Sequence, residues 1–323
     1  MFRPSILQDR TASHPVNGIT TTTAANPNLR VPYLGFTTNG LQGSAFDGIS
    51  NYNSLQVTVR KQLSHGLSLQ GAYTWSKSLT NIYETTANSN DASNLAQQYG
   101  PSDFNRPQRL VVNYSWDLPF GKHNGVTGKL LEGWNLSGVT TIQNGVALTL
   151  IDSRGGTAFN VSGTTVQNGY SRPQFAPGKT FADMVTPGGI ESRLGGNSGG
   201  PGYYNVSAFT PPPAVNPDGT ITTTAACPSC VTLYGNAGVG ILQGPGQFNF
   251  DLALLKNTRI TENKFVQFRA EFFNLFNHPQ FANPTAPPGG QVNLMDVNSP
   301  NGSWITATSV NPRVIQLGLK IIF

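Results

Sequence analysis

Apolar and polar residues alternate with period two along several short stretches of this chain. Leu55, Val57 and Val59 alternate with Ser54, Gln56, Thr58 and Arg60. After Ser64-His65-Gly66, the set Leu67, Leu69, Gly71, Tyr73 and Trp75 alternates with Ser68, Gln70, Ala72, Thr74 and Ser76. Period two places the two sets on opposite faces of an extended strand. The pair predicts a hairpin with one apolar face. The same pattern recurs at Leu110–Leu118, at Trp134–Ile142, at Phe248–Leu254 and at Val266–Phe272. In the last of these the opposite face, Gln267, Arg269 and Glu271, is plainly polar. The final segment reads RVIQLGLKIIF. Ile315, Leu317, Leu319, Ile321 and Phe323 fall on one side of it. Gln316, Gly318 and Lys320 fall on the other, with Ile322 the apolar exception. About seven strands are predicted, or eight with a weaker one at about Gly35 to Phe46.

The connections between these strands alternate in length. Those at 62–66, 119–130 and 261–264 are short, and those at 79–108, 152–246 and 277–312 are long. Short turns at one end and long loops at the other mark an outer-membrane barrel. Aromatic positions agree with that reading. Tyr73, Trp75, Phe250 and Phe272 lie toward the long-loop ends of their strands. Tyr114, Trp116, Trp134 and Phe323 lie toward the short-turn ends. Rings favour the membrane interface, so two girdles with an aliphatic band between them are expected. Gln56, Thr58, Arg60, Gln267, Arg269 and Glu271 would be costly in a dry core and natural on a wet lumen wall.

Composition supports strands and long polar loops. Of 323 residues only 11% are Asp, Glu, Lys or Arg, while Gly numbers 36 and Pro 23. Gly and Pro break helices. No run approaches the roughly 20 apolar residues of a membrane-spanning helix. A barrel needs none, because only alternate residues face lipid. The net charge is +5, but Lys and Arg are scattered and no nucleic-acid module is recognisable. Cys227 and Cys230, in CPSC, lack a second pair to complete a zinc site. A local disulfide in an oxidising compartment is the expectation there, and a free pair the alternative. The four histidines, His14, His65, His123 and His278, show no metal-ligand spacing. No GxSxG nucleophile motif occurs. GGNSGGPG at Gly195–Gly202 lacks the ending of a P-loop and reads as a flexible surface loop. No enzyme, cofactor or metal site is predicted.

The last strand resembles the carboxy-terminal insertion signal of bacterial outer-membrane barrels, carried by Gln316, Gly318, Ile321 and Phe323. Five segments in order resemble the barrel region of TonB-dependent outer-membrane receptors of the Oar-like type. They are NYNSLQVTVRKQLSHGLSLQGAYTWSKSL, SDFNRPQRLVVNYSWDLPFGK, GWNLSGVTTIQNG, FDLALLKNTRITENKFVQFRAEFFNLFNHPQF and the terminal strand. The resemblance covers about Tyr33 to Phe323 and fits the longest loop poorly. It implies an all-β fold, an antiparallel transmembrane β-barrel of about 22 strands around a plug. It also implies an amino-terminal carboxypeptidase-regulatory-like β-sandwich, and solute transport energised through TonB.

This sequence shows no signal peptide, plug, TonB-contacting segment or sandwich, and too few strands for so wide a barrel. The expectation is therefore a carboxy-terminal portion of a larger receptor in the cell outer membrane. Residues 1–32 would be a leading loop, 33–151 strands, 152–246 a long extracellular loop and 247–323 the terminal strands. Expected partners are outer-membrane lipid and the barrel-assembly machinery, with the TonB complex reached only through the missing amino-terminal part. No nucleic acid is expected, and the solute is not legible. Two alternatives stay open: a soluble secreted β-sandwich or adhesin-like binding protein, and a small porin-like barrel.

Overall fold

The computed structural model describes residues 48–81, 95–121, 123–152, 172–210, 214–215, 221–222, 231–232, 235–261, 264–284 and 294–323. The weak strand expected at 35–46 lies outside them. Among the described residues, seven long strands form one sheet. They are β1 (Ser50–Ser64), β2 (Leu67–Thr80), β3 (Gln108–Asp117), β4 (Trp134–Gln143), β5 (Gln247–Thr261), β6 (Lys264–Phe273) and β7 (Val314–Ile322). Each pairs antiparallel with the next in sequence. The sheet is thus a plain meander, with Gly100–Pro101 added against the outer end of β2. The shortest strand has 9 residues, and roughly 9–11 suffice to cross a bilayer.

Register converts the alternation within each strand into two continuous faces. Leu67, Trp116, Leu136, Leu254, Ala270 and Leu317 are successive partners across β2 to β7. One step along, Ser68, Ser115, Ser137, Ala253, Glu271 and Gln316 make the parallel row on the opposite face. A slip of one residue at any junction would mix the two faces.

The strict meander puts all the short connections at one end. The β1–β2 turn is His65-Gly66, both with positive φ (54° and 78°), as a two-residue hairpin of the I′ kind requires. A Cβ on Gly66 would fall 2.7 Å from the Asp117 carbonyl oxygen, so this glycine also admits the end of β3. The 119–130 connection, expected to be a simple short link, contains a helix, α1 (Gly125–Leu131). Glu132 closes that loop by accepting from the His123 backbone N–H, and Asn257 N–H donates to the Gly133 carbonyl.

The buried apolar core does not lie on the sheet. It lies in a cap built from the connections at the other end. Ala147–Ile151 runs between Leu242–Gln243, antiparallel, and Leu294–Asp296, parallel. Leu148, Leu150, Met184, Tyr203, Tyr204, Phe209, Leu242, Met295 and Ile305 pack together there. The wall therefore gives out at Gln143, and the apolar stretch that follows belongs to the cap. Gly195–Gly202, expected as a flexible surface loop, is a surface turn with 197–201 exposed and its two ends, Gly195 and Gly202, buried. A Cβ on Gly195 or Gly196 would fall 2.4 or 2.5 Å from the Trp304 indole. Gly195 N–H donates to the Gly199 carbonyl at 2.7 Å.

Candidate functional site: a two-faced wall and its rims

One face of the wall is apolar and uncovered. Leu55, Val57, Val59, Trp75, Trp116, Ile142, Phe248, Ile315, Leu317, Leu319 and Ile321 are all exposed. Every residue of β7 is exposed. A soluble sandwich would bury such a face under a second sheet. Lys256 is the exception that fits the rule. It falls in the apolar row between Trp134 and Phe268, yet it is only 8% exposed. Its ammonium donates to the Glu132 carbonyl and lies 5.5 Å from the Trp134 ring centroid. The charge is thus carried to the strand end, as long cationic side chains do at membrane boundaries.

The other face is polar and laced with cross-strand hydrogen bonds. Asn135 Nδ2 donates to Ser115 Oγ (3.0 Å) and Asp117 Oδ1 (2.8 Å). Gln267 Nε2 donates to Asn257 Oδ1 at 2.9 Å, and the Gln143 amide donates to Gln247. Arg269 and Glu271 pair at 3.5 Å. These contacts give the face a continuous polar surface. Among the described residues no cluster of His, Cys, Asp or Glu could hold a metal.

Two clasps tie the strands together at the long-loop rim. In the first, Asn105 Oδ1 accepts from Ser78 N–H (2.8 Å), Ser76 Oγ donates to the Arg106 carbonyl (3.0 Å), and Arg106 Nη1 donates to the Asn144 carbonyl (2.8 Å). It joins β2, β3 and β4. Arg106 is partly buried, and burial with Arg109 nearby holds its pKa below the usual guanidinium value. In the second, Asn277 Oδ1 accepts from Arg313 N–H at 2.9 Å. Gln280 accepts from Phe248 N–H and donates to the Phe248 carbonyl, both at 2.6 Å. It joins β5, β6 and β7. The two clasps share a sequence that the strand pattern does not reveal, Phe104-Asn-Arg-Pro-Gln108 and Phe276-Asn-His-Pro-Gln280. That internal repeat is the signal by which the rims could have been found.

The expected site residues fall as follows. Tyr73 lies at the middle of β2 and Trp75 in its outer half, both on the apolar face, and Trp75 is 58% exposed. Trp116 lies one residue from the short-turn end of β3, and Trp134 begins β4. Tyr114 lies over Gly138, whose Cβ would fall 2.5 Å from the Tyr114 hydroxyl. Gln316 pairs with Glu271, Gly318 with Arg269 and Ile321 with Val266. Phe323 is 91% exposed beyond the end of β7. Cys227 and Cys230 lie outside the described residues.

The cap has its own polar chemistry. Tyr203 Oη donates to the Gln243 carbonyl at 2.7 Å, and the Arg193 guanidinium lies over its ring at 4.7 Å. Burial raises the Tyr203 pKa, and Arg193 opposes the rise. Tyr204 is fully buried, and its hydroxyl makes no hydrogen bond among the described residues. Burial, with Asp296 nearby, raises its pKa strongly.

No helix among the described residues is long and apolar enough to cross a membrane, and the strands supply the crossing elements. An amphipathic antiparallel meander with short turns at one end defines the class: a β-barrel protein of the bacterial outer membrane. The family model described as outer membrane beta barrel domain matches residues 5–316, and the chain belongs to that family. It therefore resides in the cell outer membrane, and the soluble-sandwich alternative is set aside. No curated protein and no solved structure matches the chain.

Proposed function

We propose that this chain is part of a TonB-dependent outer-membrane receptor of the Oar-like type, which moves a bulky solute across the outer membrane. The observation that carries the reading is the cap. The connections between β4 and β5 and between β6 and β7 fold together around one buried core at the long-loop end of the wall. Capture of a large solute calls for a shaped surface held at the mouth of a wet lumen. In this reading β1 to β7 supply wall, and the cap, whose core is drawn from 147–151, 184–209, 237–242 and 295–305, faces outward. Energy would arrive through TonB by way of a plug. The barrel-assembly machinery would read the terminal strand, Gln316, Gly318, Ile321 and Phe323. No catalytic step is assigned.

The test uses the purified full-length gene product. A plugged receptor binds the carboxy-terminal domain of TonB and leaves a planar bilayer without steady conductance. Steady open-channel conductance with no TonB binding would overturn the reading in favour of a porin-like barrel.

A further inference from the structure

We infer that α1 is an interfacial anchor that seats the short-turn rim in the phospholipid leaflet of the outer membrane. The inference rests on the chain's place in that membrane and is independent of the transport reading. Val126 and Leu130 lie four residues apart on one helix face, and they are 74% and 65% exposed. Phe120 and Leu131, at the two ends of the same connection, are also exposed. Apolar groups clustered in this way in one connection mark an interaction site.

Continuity with the wall identifies the partner. Trp134 Nε1 donates to the Leu130 carbonyl at 2.9 Å. Trp134 opens β4 in the row that holds Lys256, Phe268 and Leu319 on the lipid-facing side. The last turn of α1 is therefore bonded to the lower margin of the lipid face itself. The helix is also held in place. Gly128 accepts the Glu132 N–H at 2.9 Å, and its own Cβ would fall 2.2 Å from the His123 carbonyl oxygen. Lys129, exposed in the last turn, suits the anionic headgroups of a phospholipid surface. A short helix with apolar residues on one side and a cation at the water boundary lies in the interface rather than across it.

The test is spin-label accessibility on the full-length protein in vesicles of phosphatidylethanolamine and phosphatidylglycerol. Cys227 and Cys230 are replaced by serine, and Leu130→Cys carries the nitroxide. Leu317→Cys on the wall gives the lipid reference, and Ser198→Cys in the cap gives the water reference. The expected result is that the label at 130 falls between the labels at 317 and 198, with clear relaxation by oxygen and reduced relaxation by a water-soluble nickel chelate. Relaxation by nickel equal to that at 198 overturns the inference, because the helix then lies in water. Shielding from both reagents overturns it equally, because protein then covers the helix. Heat-modifiable gel mobility verifies that each labelled protein is folded. Val126→Cys supplies a second position should Leu130→Cys fail that check.

Discussion

Tyr203 and Tyr204 are neighbours in sequence and opposites in chemistry. The Tyr203 hydroxyl donates to the Gln243 carbonyl, whereas that of Tyr204 is buried without a hydrogen bond among the described residues. Tyr203→Phe should destabilise the cap by about 1 kcal/mol, the usual net worth of such a bond. Tyr204→Phe should be neutral or stabilising, since it removes a polar atom that burial left unsatisfied. Urea melts of the two variants distinguish these outcomes. The pair also sets an alkaline limit. Unfolded phenols ionise near pH 10, and burial holds both folded pKa values above their ordinary value. As pH rises the unfolded chain therefore loses its protons first. Their contribution is full below about pH 10 and falls as pH climbs through the folded values. Alkaline melts should show the cap failing in that range, with Tyr204→Phe delaying the failure. At Gly138 the constraint is space. A Cβ there would meet the Tyr114 ring and the Asp251 carbonyl, so Gly138→Ala should cost about 1–3 kcal/mol. That loss is measured by urea unfolding from lipid vesicles.

At the scale of elements, the strands were legible and the cap was not. β1 to β7 were readable because a period-two run of apolar residues falls inside each of them. Register could then be inferred from which face was polar. The cap core has no such period. Leu148, Met184, Tyr203, Phe209, Leu242, Met295 and Ile305 come from well-separated points of two long connections, and only the fold brings them together. Gly195 and Gly196 looked like markers of flexibility, whereas the Trp304 indole needs the space that their missing side chains leave. Helix α1 was hidden because two of its seven residues, Gly125 and Gly128, are poor helix formers. The terminal strand carries an expectation of its own. β7 holds on to the sheet through β6 alone among the described residues, and Phe323 is free at its end. If the assembly machinery reads that aromatic residue, Phe323→Ala should lower the amount of heat-modifiable protein in the outer membrane several-fold. Whole-cell levels should fall less, and quantitative blots of the two fractions would show the difference.

At the scale of the whole molecule, one junction stands apart from the rest of the meander. Gln143 in β4 pairs with Gln247 in β5, 104 residues away in sequence. Just beyond that junction, Gly244 N–H donates to the Val146 carbonyl at 2.8 Å. Leu242 and Gln243 then pair with Leu148 and Ala147. The ladder between the two wall strands thus runs on almost without interruption into the central strand of the cap. Seen as a matter of chain assembly, the cap is a staple. Folded first, it shortens the loop that must close before β4 can find β5 from about 100 residues to about 10. That saves about 2 kcal/mol of closure entropy at the slowest-searching joint of the sheet. The cap would then also set the order in which the wall comes together.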